Sequence, residues 1–281
     1  MKESLSFLAT PMAASAILAA MLGYFGTHIL ARRIIFIDIA VAQIAALGTM
    51  IGLLLGYAEE AMQVQLFSYL LTMLVIGGFA LLRTDRLPIP AEAVIGIIYC
   101  IGLAFSLLLA EYIPGGSNYI TKTITGNILW VTWDQVISLG LLFAPVALIH
   151  LLLRNRFFHL SNDPHAVQSG TGTGTRFLNL LFYITFGVVV VKAVLIGGIF
   201  LVFTLLIAPS TAAALFVESW TKRVIWSCVI GVLGTIAGIL LSYSVNISNG
   251  PAIVSILGLL AFVLAIVRSS GYFHQARRRS C

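Results

Sequence analysis

The sequence predicts an all-α polytopic membrane protein of about nine transmembrane helices, with eight as the next count. Three observations carry this. Apolar runs cover residues 6–30, 34–57, 61–82, 91–110, 135–153, 177–191, 194–216, 224–244 and 252–267, and most approach the roughly 20 residues a helix needs to cross a hydrocarbon core. The composition is 60% apolar and only 9% charged, far from that of a soluble domain. Finally, the basic residues fall on one side of the runs. Arg32, Arg33, Arg83, Arg86, Arg154, Arg156, Arg176, Lys222, Arg223, Arg268 and Arg277 to Arg279 occupy alternate connections, leaving Lys2, Lys122 and Lys192 on the other side. The positive-inside rule then places the C-terminus in the cytoplasm and, for nine spans, the N-terminus outside.

The net charge of +6 is accounted for by these orientation signals, so nucleic acid is not an expected partner. Residues 269–281 form a basic cytoplasmic tail whose Arg277-Arg278-Arg279 suits anionic headgroups. The first run is too long for a cleavable signal peptide and leads directly into Arg32-Arg33. Cys100 and Cys228 lie within spans as small packing residues. With Cys281 they make neither a disulfide framework nor a thiolate metal site.

The first span ends at His28, Arg32 and Arg33. His28 faces the cytoplasmic interface or serves as a ligand. The second span carries Asp38, whose burial in a membrane costs about 2.5–3.5 kcal/mol on insertion scales. Asp38 either pairs with Arg32, Arg33 or another span's end, or lies on a substrate path. Its face continues through the small residues Ala42, Ala45, Thr49 and Gly52. Gln43, about 140° around the helix, is interhelical hydrogen-bond glue or offers a carbonyl oxygen to a passing cation. Glu59-Glu60 open the outer side before span three.

After span four comes the longest outer stretch, 111–133. It closes on Ile128-Leu129-Trp130-Val131, which is too short to span and is expected at the interface with Trp130 and Trp133. The largest cytoplasmic connection, 154–176, follows span five. Ser161-Asn162-Asp163-Pro164 reads as a helix start, and Gly170 to Thr175 as a flexible leash. A short amphipathic helix or an ordinary solvated loop both fit. Lys192 separates spans six and seven on the outer side, with Gly197-Gly198 and Pro209 marking tight packing and a helix break. Gly231, Gly234 and Gly238 form a packing seam on span eight.

Several chemistries are missing. The chain has no Walker-type phosphate loop, no periodic Arg helix, no filter-like Gly-Tyr-Gly, no Ser/His/Asp triad pattern, no His-Glu-x-x-His and no two-His helical spacing. Energy for any pumping would have to come from elsewhere.

Five blocks in register resemble the permease family of bacterial zinc/manganese ABC importers. They are Gly26-Thr27-His28-Ile29-Leu30-Ala31-Arg32-Arg33-Ile34-Ile35-Phe36 running on to Ala45-Ala46-Leu47-Gly48; Thr125-Gly126-Asn127-Ile128-Leu129-Trp130-Val131-Thr132; Ser161-Asn162-Asp163-Pro164-His165-Ala166 with Gly170; Val191 to Leu195 with Leu205 to Ala213; and Leu240-Leu241-Ser242-Tyr243 with Gly250 to Val254. The resemblance implies one permease domain over 1–281, with the fold of metal- and cobalamin-uptake ABC importers. It implies a transport subunit rather than an enzyme, paired as a homodimer in a bacterial inner membrane. A separate ATP-binding subunit would dock on a coupling helix carrying Ser161, Asp163, Pro164, Ala166 and Gly170, and an extracytoplasmic solute-binding protein would deliver cargo. The expected cargo is a divalent transition metal (zinc, manganese or iron), with no stably bound cofactor.

One departure bears on the cargo. The family's second span carries Gly-Asp with a His four residues on, and those Asp and His positions fall on Ile39 and Gln43 here, with Asp38 at the Gly position. Asp38, Gln43 and His28 are therefore the candidates for an altered path. A permease for a metal chelate or other small solute, and an ATP-independent channel or carrier, are the alternatives.

Overall fold

The computed structural model describes residues 2–82, 88–126, 128–162 and 173–270. These are helical, with no strand among the described residues: α1 (Lys2–Arg32), α2 (Ile37–Leu54), α3 (Met62–Leu81), α4 (Ala91–Ala110), α5 (Gly116–Thr125), a 3-10 turn (Ile128–Trp130), α6 (Trp133–Leu152), α7 (Arg154–Asn162), α8 (Thr173–Phe216), α9 (Trp220–Val245) and α10 (Asn249–Ser269). Eight of them are long and apolar enough to cross a bilayer.

One of the eight is two arms. A straight α8 of 44 residues would run about 66 Å. Yet Asn179, near its start, accepts a hydrogen bond from Arg32 Nη1 at 2.9 Å. Trp220, just past its end, packs on His28 with ring centroids 4.9 Å apart. Arg32 and His28 are one turn apart on α1, so the two ends of α8 meet the same place and the chain folds back. The reversal is at Gly198, whose φ of 78° and ψ of 166° lie outside the helical region in a conformation open essentially only to glycine. Gly126, itself at φ 70°, lies against the Gly197 carbonyl, and a Cβ on either Gly126 or Gly198 would overlap the other's backbone. The arms, 173–197 and 199–216, bring the count of crossing segments among the described residues to nine.

The break expected at Gly197-Gly198 therefore stands, while the boundary set at Lys192 shifts. Lys192 does not divide two spans; it sits half-buried within the first arm. A lysine can stay helical there and run its stem along the apolar surface, whereas only glycine can make the turn. Pro209 lies inside the second arm, packed near Gly231 of α9, and breaks nothing.

Helix ends follow local chemistry. α1 stops where Arg33 adopts φ 57°, and Ile34 N–H bonds back to Ile29 O while Arg33 N–H bonds to Leu30 O. These are the two bonds of a Schellman cap. α9 ends the same way at Asn246, φ 59°, with Ile247 N–H on Ser242 O. Thr132 and Gln135 close a reciprocal capping box at the start of α6, satisfying two otherwise free donors.

Packing sets the layers. α1 lies at the centre, and the core around it gathers Leu18, Leu22, Phe25, Phe182, Phe186 and Phe157. The α9 glycines pack as expected: Gly231 toward Ala19 of α1, and Gly234 and Gly238 onto Leu257 and Ile253 of α10. In a bilayer such close approach supplies the van der Waals contact that water would otherwise drive. α2 is an inner helix, with 72% of its apolar stretch buried, against 17% for α4 at the periphery. On the loop before α6, Ile128 is buried while Trp130 and Trp133 stay exposed.

Candidate functional site

At its C-terminal end α1 presents Tyr24, His28 and Arg32, spaced four apart and hence on one face. Between them they reach three elements, α6, α7 and α8. Tyr24 Oη lies 3.0 Å from His150 Nδ1 of α6, and His150 Nε2 lies 2.8 Å from Thr185 Oγ1 on the first arm of α8. His28 Nδ1 lies 2.8 Å from Ser161 Oγ in the last turn of α7. Arg32 Nε donates to the same Ser161 hydroxyl at 3.1 Å, and Nη1 donates to Asn179 Oδ1. The serine oxygen thus accepts from the guanidinium and keeps its own proton available for the imidazole.

The knot is buried and aromatic. His28, Arg32, His150 and Ser161 are each 7% exposed or less. The Arg32 guanidinium sits 3.6 Å from the centre of the Phe182 ring, a cation–π contact that partly replaces lost hydration. His150 stacks on Phe157 at 4.4 Å. Arg32 Nη2 has no partner among the described residues. No carboxylate joins the described knot: hydroxyls, an amide and aromatic faces hold the cation.

The second group lies on α2. Asp38 is 1% exposed, and neither carboxylate oxygen has a partner among the described residues. The pairing with Arg32 or Arg33 entertained from the sequence does not form: Arg32 is engaged in the knot, and Arg33 points outward from its left-handed cap. What compensates Asp38 is its place in the first turn of α2, at the positive end of the helix dipole. Gln43 is buried where α2 meets α4, its Cβ facing Gly102. The face beyond it docks α3, with Ser68 Oγ donating to Ala45 O at 2.8 Å.

The structure does not join the three path candidates into one cluster. His28 is enclosed by Ser161, Tyr24, Trp220 and Phe182, and Asp38 is not among its partners. Of the coupling candidates, Ser161 is in the knot and, with Asn162, belongs to α7. Asp163, Pro164, Ala166 and Gly170 lie outside the described residues. Sequence reasoning missed Tyr24, His150, Thr185, Asn179 and Trp220 as parts of one network. The four-residue spacing on α1 was the available signal, but the partners come from segments far along the chain.

On the opposite end of the bundle, Lys122 of α5 pairs with Glu59 at 2.7 Å. Both are well exposed, so the pair ties the loop to α3's entry with about 0–1 kcal/mol.

The chain is similar to known proteins over most of its length. The profile of the ABC 3 transport family matches residues 4–269. The "Probable metal transport system membrane protein" of Chlamydia pneumoniae is 24% identical over 241 residues, covering 84% of this chain and 80% of that protein. The "Manganese transport system membrane protein MntB" of Synechocystis sp. is 31% identical over 183 residues, covering 64% and 58%. The manganese transport system membrane protein MntC of Listeria monocytogenes is 23% identical over 266 residues, covering 92% and 89%. Among solved structures, PsaBC from Streptococcus pneumoniae in complex with Fab superposes with a TM-score of 0.74 at 20% identity, covering 92% of this chain and 90% of that one. A putative metal-chelate type ABC transporter in an inward-facing conformation gives 0.70 at 17% identity, covering 92% and 85%. The fold is that of these permeases, and the chain belongs to the ABC 3 transport family.

Proposed function

We propose that this chain is the transmembrane subunit of an ATP-driven importer for a divalent transition metal ion: zinc, manganese or iron. Two copies form the translocation unit in a bacterial inner membrane, with the C-terminus cytoplasmic. A separate ATP-binding subunit works on the cytoplasmic face, and an extracytoplasmic binding protein delivers the ion. The names of the relatives and the family match support the transported class.

One geometric observation supports coupling through this chain. Ser161 opens the segment that resembles the ATPase-docking loop, and its hydroxyl is held by both His28 and Arg32 of the central helix. Movement of that segment is carried into α1 through two buried polar contacts, and onward to α8 through Asn179. Asp163, Pro164, Ala166 and Gly170 supply the docking surface itself. Asp38 and Gln43 line the ion's route along α2. His28 acts in transmission, since its ring is already engaged.

A second reading, import of a metal chelate or other small solute, is favoured by one observation. Ile39 and Gln43 stand where the family has its Asp and His, which leaves Asp38 as the carboxylate nearest those positions. Reconstitution with the ATP-binding subunit and the binding protein tests both readings. ATP hydrolysis is expected to rise with metal-loaded binding protein and not with the empty one. An equal response to both would overturn metal import, and flux without any ATPase would overturn ATP-driven transport.

A further inference from the structure

A cavity of about 870 Å3 opens between α1, α6, α7 and α9. Its origin is in the packing. α9 lies close along α1 through Gly231 and Gly23, whereas α6 is anchored mainly at its cytoplasmic end by the bond between Tyr24 and His150. Above that bond, α6 turns small residues inward, Ala144 and Ala147 among them, across from Ala20 of α1. Small residues on facing helices allow close contact, yet these helices stand apart and the space remains.

The two ends of the cavity differ. Its upper wall is aliphatic and aromatic, while its mouth carries Arg154, Asn155 and Trp220. Among the described residues no carboxylate lines it, and Arg154, exposed, is the cation of that lining. The mouth lies at the end of the bundle that carries Arg156, Lys222 and Arg223, which the charge asymmetry assigns to the cytoplasmic side. Both bordering helices, α6 and α9, show exposed Leu141, Leu148, Leu233 and Trp226 toward the surroundings, so a hydrocarbon chain can enter from the bilayer.

We propose that this cavity is a binding site for one anionic phospholipid of the cytoplasmic leaflet. Its phosphate sits on Arg154 with Asn155 as a second donor, and one acyl chain lies along Ala20, Ala144 and Ala147. A basic pocket between helices on this side of a membrane is suited to such headgroups, and guanidinium–phosphate contact is charge-assisted and directional. The lipid fills the gap beside the Tyr24–His150 contact and so braces α6 against α1. The lipid is neither the cargo nor a substitute for the ATPase.

The test is native mass spectrometry of the full chain, extracted from vesicles of phosphatidylglycerol or of phosphatidylcholine. The unaltered chain is expected to retain one phosphatidylglycerol and to prefer it over phosphatidylcholine. Arg154→Gln is expected to lower retention roughly fivefold, the worth of one basic contact at a membrane surface. Ala147→Phe, and Ala144→Leu should the first not fold, are expected to abolish retention by filling the cavity. Arg268→Gln, a basic residue at the same membrane face but outside the cavity, is expected to leave it unchanged. Equal loss with Arg268→Gln would reduce the effect to a diffuse basic collar and overturn the site. So would equal retention of phosphatidylcholine, or retention unaffected by both cavity-filling variants.

Discussion

His28 Nδ1 and Ser161 Oγ stand 2.8 Å apart although 133 residues separate them in the chain. One belongs to the central helix and the other to the short helix α7. Because Arg32 Nε holds the same hydroxyl, displacing Ser161 disturbs two buried donors or acceptors at once. In a buried site each such loss costs about 1–3 kcal/mol.

Ser161→Ala removes that link while keeping the volume close. Thermal unfolding in detergent is expected to show a loss of about 1–3 kcal/mol, and ATP hydrolysis is expected to continue with less ion moved per ATP. Ser161→Thr keeps a hydroxyl and should recover most of the coupling. If the transport-to-hydrolysis ratio is unchanged in the alanine variant, the link has no part in transmission.

Arg32→Lys keeps the charge but not the planar fork. An ammonium cannot serve Ser161 and Asn179 in the same geometry while stacking on Phe182. The variant is expected to lose about 2 kcal/mol or more, consistent with disturbing a buried hydrogen-bonded charge. Denaturation midpoints of Arg32→Lys and Asn179→Ala, singly and combined, would check this. Strict additivity would show that the two side chains do not act together.

Gly198→Ala places a Cβ against the Gly126 backbone and forces a non-glycine residue into a conformation that costs about 1–3 kcal/mol by itself. The expected result is loss of monodisperse protein on size-exclusion chromatography. A control, Gly77→Ala, puts its Cβ in open space and should behave normally. A stable, active Gly198→Ala chain would contradict the reversal at this residue.

Asp38→Asn removes a buried carboxyl that has no side-chain partner. Stability is expected to hold or to rise by about 1 kcal/mol, while metal accumulation by cells carrying the full importer falls. Such opposition between stability and activity marks a group retained for function. Uptake equal to that of the unaltered chain would take Asp38 off the ion's route.

Glu59→Gln breaks the exposed pair with Lys122. Because solvent screens it, unfolding is expected to shift by less than about 1 kcal/mol. A larger shift in a urea titration would mean the pair does more than tie two outer segments together.

The crossing segments were legible because the bilayer imposes a length and an apolarity that each segment meets by itself. The reversal between the sixth and seventh was legible in the Gly197-Gly198 pair, but not the geometry that makes it. Lys192 interrupts the hydropathy, but Gly198 makes the turn, and what it requires is a backbone conformation and room beside Gly126. The seam of Gly231, Gly234 and Gly238 was readable because its spacing is the spacing of a helix face. The candidate site was only half visible. Asp38 and Gln43 stand out as polar residues in an apolar run, but Tyr24, Thr185 and Asn179 look ordinary until their partners are known.

By itself, then, the sequence determined that this chain crosses a membrane many times, which ends carry positive charge, and which polar residues are buried at a cost. These follow from local composition, since each segment meets the bilayer on its own terms. Only the tertiary structure decided that His28 and Arg32 close on Ser161, that Asp38 stands without an ionic partner among the described residues, and that α6 leaves a cavity against α1. These depend on which segments meet across more than a hundred residues, and no periodicity within one segment encodes its distant neighbour.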